Sequence, residues 1–383
     1  MARSSHPVLS NAQLNRATLA RQLLLEPSPL DPVAAIEQIG GLQAQEAASP
    51  YIGLWTRLRS FDAATLDEAF QARTVVKATL MRGTLHAVTI DEYLRLLPAI
   101  LPMLRRVSRR QSRGSPTQAH IERLAEAATA FSTEPRTNVE LRQHLETIAE
   151  GDLGTDLPWW WVRRHAPFIH VPAPTPWSFG RRPALVAAAA WTRGRPLAEG
   201  DAALEHLLRR YLGAFGPATL ADVAAWSGLS IVSLRPAITA VKAETGLRRF
   251  SDEGGRELID LHEAPRPDGD VPTPVRLLPM WDSLVLGHAD RTRVMRDDHR
   301  AIVIGRNGDT LPTFLVDGRV AGLWWAEADG GATRVVLEPF SRLDPAVRRD
   351  LQEEGERLAT FVAPHEPEVY RRYRTSRARR TVG

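Results

Sequence analysis

Residues 201–262 carry three helical patterns followed by two strand patterns, and that order constrains the chain more than any other feature. Leu204, Leu207, Leu208, Tyr211 and Leu212 recur at helical spacing behind Asp201 as the expected cap, so one face of this helix must be covered. Gly216-Pro217 breaks the chain, and Thr219 can then cap a second helix through Leu220, Val223, Ala224 and Trp226, which Gly228 ends. Residues 230–241 supply a third helix. The runs 247–250 and 257–261, separated by Asp252-Glu253-Gly254-Gly255, predict a β-hairpin. Helix, turn, helix and hairpin is the order of a winged helix, whose last helix is the one placed to enter a DNA groove.

Two weaker versions of this order precede it. Residues 121–131 and a helix start at Thr137-Asn138 read as one, with its strands obscured by Trp159-Trp160-Trp161 and a proline-rich tract at 167–183. At the N-terminus, residues 11–25 form an amphipathic pattern, Asp31-Pro32 is a cap followed by proline at the first helical position, and 50–58 read as a short helix. The runs 75–80 and 84–88, around Arg82-Gly83, read as paired strands. Beyond residue 265 short strand patterns at 275–278, 301–304, 312–316, 320–325 and 333–337 alternate with Asn307-Gly308, Asp317-Gly318 and Gly330-Gly331 turns. A helix over 344–361 and a basic tail from Arg371 to Arg380, read as a solvated end, close the chain. The expected fold is α+β: tandem winged-helix units plus a small C-terminal antiparallel β module. The expected divisions are 1–115, 116–265 (two units) and 266–383.

Composition narrows the function classes. The 383 residues are 43% hydrophobic and 25% charged, the balance of a soluble globular protein, and no run is long enough to span a membrane. No apolar run follows Arg3, so a secretion signal is not expected and a cytoplasmic location is. There is no cysteine, which removes disulfides, Cys-ligated zinc, iron–sulfur clusters and thiol nucleophiles. The net charge is +4 and the basic residues are nearly all arginine, Lys77 and Lys242 being the only lysines. Arginine suits phosphate and base recognition, but a GC-rich coding bias gives the same excess. P-loop, HExxH, GxSxG and dinucleotide fingerprints are absent.

Gly40-Gly41-Leu42-Gln43-Ala44-Gln45-Glu46 places two amides at i and i+2 in a glycine-marked junction. On spacing alone the simpler reading is that both satisfy backbone groups at element ends. The three adjacent tryptophans cannot share one face, so core and inter-module packing is favoured for them over base stacking.

Four blocks in order carry a resemblance across nearly the whole chain. They are Leu14-Asn15-Arg16-Ala17-Thr18-Leu19-Ala20-Arg21-Gln22, Gly41-Leu42-Gln43-Ala44-Gln45, Met81-Arg82-Gly83-Thr84-Leu85-His86, and Leu277-Leu278-Pro279-Met280-Trp281-Asp282 leading to His288-Ala289-Asp290-Arg291. With them the chain resembles the winged-helix DNA glycosylases represented by AlkZ and YcaQ. The resemblance implies a concave basic surface for duplex DNA and a catalytic Gln-apolar-Gln motif, which puts Gln43 and Gln45 in the catalytic role. It also implies DNA contacts from Lys77, Arg82, Thr84 and His86 on the first hairpin and from His288, Asp290 and Arg291 near a probing hairpin. For Asp290 the simpler and favoured reading is a pair with Arg291 or Arg293, and Glu46 is a carboxylate the sequence cannot place relative to Gln45.

A motif with two neutral amides has no strong general base, so the substrate must supply part of the driving force. A cationic alkylpurine does this, because it leaves as a neutral base. The expected function is a monofunctional DNA glycosylase acting on N7-alkylguanine or N3-alkyladenine, including bulky adducts and crosslinks, in DNA repair or self-resistance to a genotoxic natural product. No metal, cofactor or obligate protein partner is expected. The alternative is a non-enzymatic winged-helix transcriptional regulator.

Overall fold

The computed structural model describes residues 6–111, 117–148, 159–180 and 183–374. It is a mixed α+β structure in which the described strands form sheets of three, four and six strands. In 201–262 the expected elements follow in the expected order: helices Gly200–Phe215, Leu220–Ser227 and Ile231–Thr245, then strands Leu247–Asp252 and Glu257–Leu261 paired antiparallel. Thr219 and Asp222 each accept from the other's backbone N–H, a reciprocal cap. Gly228, at φ 83°, ends that helix and lets another segment approach: a Cβ there would lie 3.1 Å from Arg82 Cα. Asp201 is not the cap. It lies inside the first turn, where its charge favours the positive end of the helix, while Glu199 occupies the cap position without a side-chain bond.

The earlier segments are tied together by the six-stranded sheet. Its order is Leu42–Gln43, Leu85–Thr89, Val75–Thr79, Phe168–Val171, Ala184–Ala187 and Arg136–Thr137, with antiparallel pairing throughout. Helices Gln118–Phe131 and Asn138–Ile148 pack nearby, and Trp159 opens the short helix Trp159–His165 and packs on Phe168. A helix absent from the sequence expectations, Ile90–Gln111, contains Pro98 and Pro102, residues that argue against a helix interior. Packing outweighs them, because Leu96, Leu97, Ile100 and Leu104 are buried in the core that also holds Tyr211, Phe215 and Trp226.

The C-terminal sheet runs Arg276–Leu278, Thr313–Val316, Arg319–Asp329, Ala332–Pro339, all antiparallel. The strand expected at 301–304 is instead the end of a helix, Asp297–Val303, with Asp297 and Asp298 in its first turn. The closing helix is Pro345–Val362, capped by Asp344. Of the basic tail, residues 375–383 lie outside the described residues.

The resembling blocks are mostly interior polar brackets. Helix Asn11–Arg21 is buried from Leu14 to Leu19 and at Arg21 despite its polarity. Arg21 makes a two-pronged pair with Asp260 at 2.7 and 2.8 Å and also donates to Leu212 O. Asn15 donates to the carbonyls of Arg293 and Gly318, and Gln22 to those of Ile39 and Ala214. Arg57 pairs in the same forked way with Asp282, both side chains fully buried. Such pairs fix register between segments, since losing one partner strands a buried charge. No single helix among the described residues is long and apolar enough to cross a membrane.

Candidate active site at the Gln43–Gln45 junction

Helix Pro32–Gln38, capped by Asp31, ends at Gly40-Gly41, where φ is 78° and 90°. A Cβ on Gly41 would sit 2.8 Å from Val88 Cγ1, so glycine is what lets strand Leu42–Gln43 lie against Leu85–Thr89. Gln43 pairs with His86 across the strands and is only 5% exposed. Its Oε1 accepts from Arg82 Nη2 at 2.8 Å, and Arg82 Nη1 donates to Trp226 O at 2.6 Å. Arg82 stands at φ 57°, an uncommon conformation for a residue with a side chain, in a tight turn between two paired strands. It joins Gln43 to the end of helix Leu220–Ser227.

Gln45 is exposed, and its Oε1 accepts from Leu85 N at 2.9 Å. Both partners are unambiguous donors, so both amide oxygens are turned toward the protein and each keeps a second lone pair. The backbone-satisfying role expected from spacing alone thus holds for Gln45, whereas Gln43 meets a guanidinium.

Cross-strand rows place the neighbouring residues. Gln43, His86, Ala78 and Ile169 form one row, and Leu42, Ala87, Lys77 and His170 the next, so Gln43 and Lys77 project from opposite faces of the sheet. On the second face a cleft of about 440 Å3 is lined by Gln45, Glu46, Lys77, His170, Trp177 and Arg372, among others. Glu46, which the sequence could not place, therefore shares this cleft with Gln45. Its Oε1 accepts from Tyr373 Oη at 2.6 Å and from the Arg372 guanidinium. A larger groove of about 690 Å3, between strand Ala332–Pro339 and helix Pro345–Val362, contains none of the motif residues.

Burial dominates the electrostatics. It pushes the Lys77 ammonium down to about 8; Glu46 opposes that shift and Arg163 adds to it. It pushes His86 down to about 3, with the Arg82 charge acting the same way, so the ring is neutral and donates from Nδ1 to Thr84 O. Burial also pushes Arg82 down to about 10, reinforced by Arg291, which leaves it cationic at neutral pH.

The expected DNA contacts divide. Arg82, Thr84 and Arg291 are half-buried; Thr84 Oγ1 donates to Met81 O, and Arg291 Nε donates to Val285 O at 3.0 Å. Lys77, His86 and His288 are 5%, 2% and 1% exposed, so they lie beneath the surface on which the sequence expectation put them. His288 donates from Nε2 to Phe215 O at 2.9 Å and packs edge-on against Tyr211 and Phe215. Asp290 pairs with Arg256 of the hairpin, not with Arg291 or Arg293, and caps Thr292 N. Arg371, Arg372 and Arg374 pair with Glu368, Glu46 and Glu327, so the described part of the tail is not a free basic end. Sequence reasoning missed His170, Trp177 and the Arg372–Tyr373 pair; nothing local marks them, because the folded chain alone brings them beside Gln45. No cluster of three or more His, Asp or Glu placed to hold a metal occurs among the described residues.

Two neutral amides thus stand together, Gln43 tied by Arg82 to the end of helix Leu220–Ser227 and Gln45 held by the Leu85 N–H. The chain belongs to the AlkZ-like DNA glycosylase family, whose model matches residues 36–361. A curated relative, the interstrand DNA cross-link repair glycosylase of Streptomyces sahachiroi, is 25% identical over 322 residues, covering 78% of this chain and 82% of that protein. The solved structure of Streptomyces sahachiroi DNA glycosylase AlkZ shares the fold, with a TM-score of 0.72 at 21% identity over 94% of this chain and 98% of the other. The chain is thus an enzyme of this class, and the non-enzymatic regulator is set aside.

Proposed function

We propose that this glycosylase hydrolyses the N-glycosidic bond of cationic alkylpurines in duplex DNA, N7-alkylguanine and N3-alkyladenine among them, including bulky adducts and crosslinks joined through such purines. The observation that carries this is the pairing of Gln43 and Gln45 with protein donors, which orients both amide oxygens, Gln43 the more firmly, without giving either a proton to take or lose. Glu46 lies in the same cleft, but Arg372 balances its charge. A cationic base needs no general acid, since it departs neutral. The second lone pairs of the glutamine oxygens then face the positive charge growing on the sugar and hold the attacking water. Unmodified purines lack that leaving group and are refused.

The segments 1–115, 116–265 and 266–383 act in this reading as winged-helix units and a β module around the duplex, with Arg82, Thr84 and Arg291 nearest the phosphates. The buried His86, His288 and Lys77, and the paired Asp290, support those elements from within. A cytoplasmic enzyme serving DNA repair or self-resistance fits this activity.

The test is duplex DNA carrying one N7-methylguanine, with free base and abasic sites measured in single turnover. Release is expected, and release from neither this substrate nor a bulkier N7 adduct would overturn the function. Release that is unchanged in Gln45→Ala would remove the site assignment.

A further inference from the structure

The Gln43–Arg82 junction has an apolar neighbour that base release does not use. Gly228 packs against the Arg82 turn: a Cβ there would lie 3.1 Å from Arg82 Cα and 3.2 Å from Arg82 N. Helix Ile231–Thr245 starts just past that glycine, behind the Ser230 cap. Two peptide units separate the Cα atoms of Gly228 and Ser230, so they are no more than about 7 Å apart. Leu234, Ala237 and Val241 anchor the helix in the core that holds Trp226, while Ile231, Val232, Arg235, Pro236 and Thr239 are exposed. Val232, at 69%, is the most exposed large apolar side chain among the described residues, and Ile231 beside it is 41% exposed.

This face has the wrong chemistry for reading base edges. That task falls to Arg, Asn or Gln donors near the start of such a helix, and Arg235 is the sole one in the first two turns here. An exposed isoleucine–valine pair gains by leaving water, and a duplex offers an apolar place between its stacked bases, where such side chains wedge a step open. Arg82 on one side and Arg235 on the other suit the phosphates that flank a parted step. Val139, in the first turn of helix Asn138–Ile148, is 61% exposed but follows strand Arg136–Thr137, the sheet edge opposite Leu42–Gln43. The two edges are about 24 Å apart. Position, not exposure, sets Val232 apart.

We infer that Ile231 and Val232 form a wedge that opens the base step beside the damaged purine and so exposes its glycosidic bond to Gln43 and Gln45. This rests on the proposed function for where the reaction occurs, not for which base is damaged. The pair are positioning residues, touching neighbouring bases and not the reacting atoms. A bulky or crosslinked purine cannot swing fully out of the helix, and parting one step reaches its sugar without that.

The experiment uses the full-length protein and a duplex carrying a stable tetrahydrofuran abasic analogue with 2-aminopurine as the adjacent base, whose fluorescence rises on unstacking. Saturating wild type should raise the emission at least about threefold. Ile231→Ser/Val232→Ser, with an unfolding midpoint near that of the wild type, should lose most of that rise yet bind undamaged duplex within about twofold of the wild type at the same salt. Its single-turnover release of N7-methylguanine should be slower by about tenfold. Val139→Ser should change neither emission nor release. No rise with the wild type, an equal rise with the double variant, or an equal loss in Val139→Ser would overturn the wedge. So would a double variant with its emission rise intact and its sedimentation shifted, which would make the patch a contact between copies of the chain. A rise that depends on Ile231 and Val232 without any release of N7-methylguanine by the wild type would instead refute the proposed base specificity and leave the wedge standing.

Discussion

Gln43 and Gln45 are two residues apart, yet one lies in the edge strand and the other just beyond it, and they are held under different constraints. Gln43 is buried, paired with His86 and held by a charged donor that is itself tied to Trp226 O. Gln45 is exposed at the rim of the Lys77 cleft and held by one backbone N–H. A buried, charge-assisted hydrogen bond fixes a side chain far more firmly than an exposed neutral one. In the proposed function the first amide is therefore in place before DNA arrives, whereas the second is completed by the substrate.

The most severe test of that contrast is Gln43→Ala, for which single-turnover base release is expected to fall by about 100- to 1,000-fold, the scale of losing a preorganised polar group. A smaller loss than in Gln45→Ala would invert the comparison. Next, Arg82→Lys keeps the charge but cannot reach Gln43 and Trp226 O together, so release should slow by about 30-fold, while affinity for undamaged duplex, read by a salt titration, changes little. Gln45→Ala should cost about tenfold, largely in substrate-dependent steps, because the same amide is free to reorient in solvent.

The last test concerns stability on the Lys77 face. The Lys77 pKa falls from 10.5 in the unfolded chain to about 8 when folded, so between those values the unfolded state binds more protons and stability rises with pH. Below pH 8 both states are protonated and the burial penalty is fully present. The unfolding midpoint of Lys77→Met should thus exceed that of the wild type most at pH 7, with the gap closing as pH rises toward 10. A gap that does not change with pH would place Lys77 in solvent in the folded protein.

Much of the local structure was legible because caps and periodicity act over a few residues. Thr219, Gly228, Asp31-Pro32 and the hairpin at 247–261 all appear where the spacing predicts. Helix Ile90–Gln111 was hidden by its two prolines, and 301–304 read as a strand because its apolar residues end a helix too short to show a period. Gln43 and Gln45 were found through the resemblance; their spacing alone pointed only to backbone capping.

The sequence by itself determined most of the elements, the absence of thiol chemistry and the neutrality of the Gln43–Gln45 motif. Only the tertiary structure decided which polar residues face solvent. His288 and His86, read as DNA-facing, are interior; Asp290 belongs to Arg256; and the tail residues Arg372 and Tyr373 close on Glu46. The physical reason is range. A hydrophobic period is written into neighbouring residues, but a buried polar group must find its partner wherever the fold supplies one, here as far as 327 positions away along the chain.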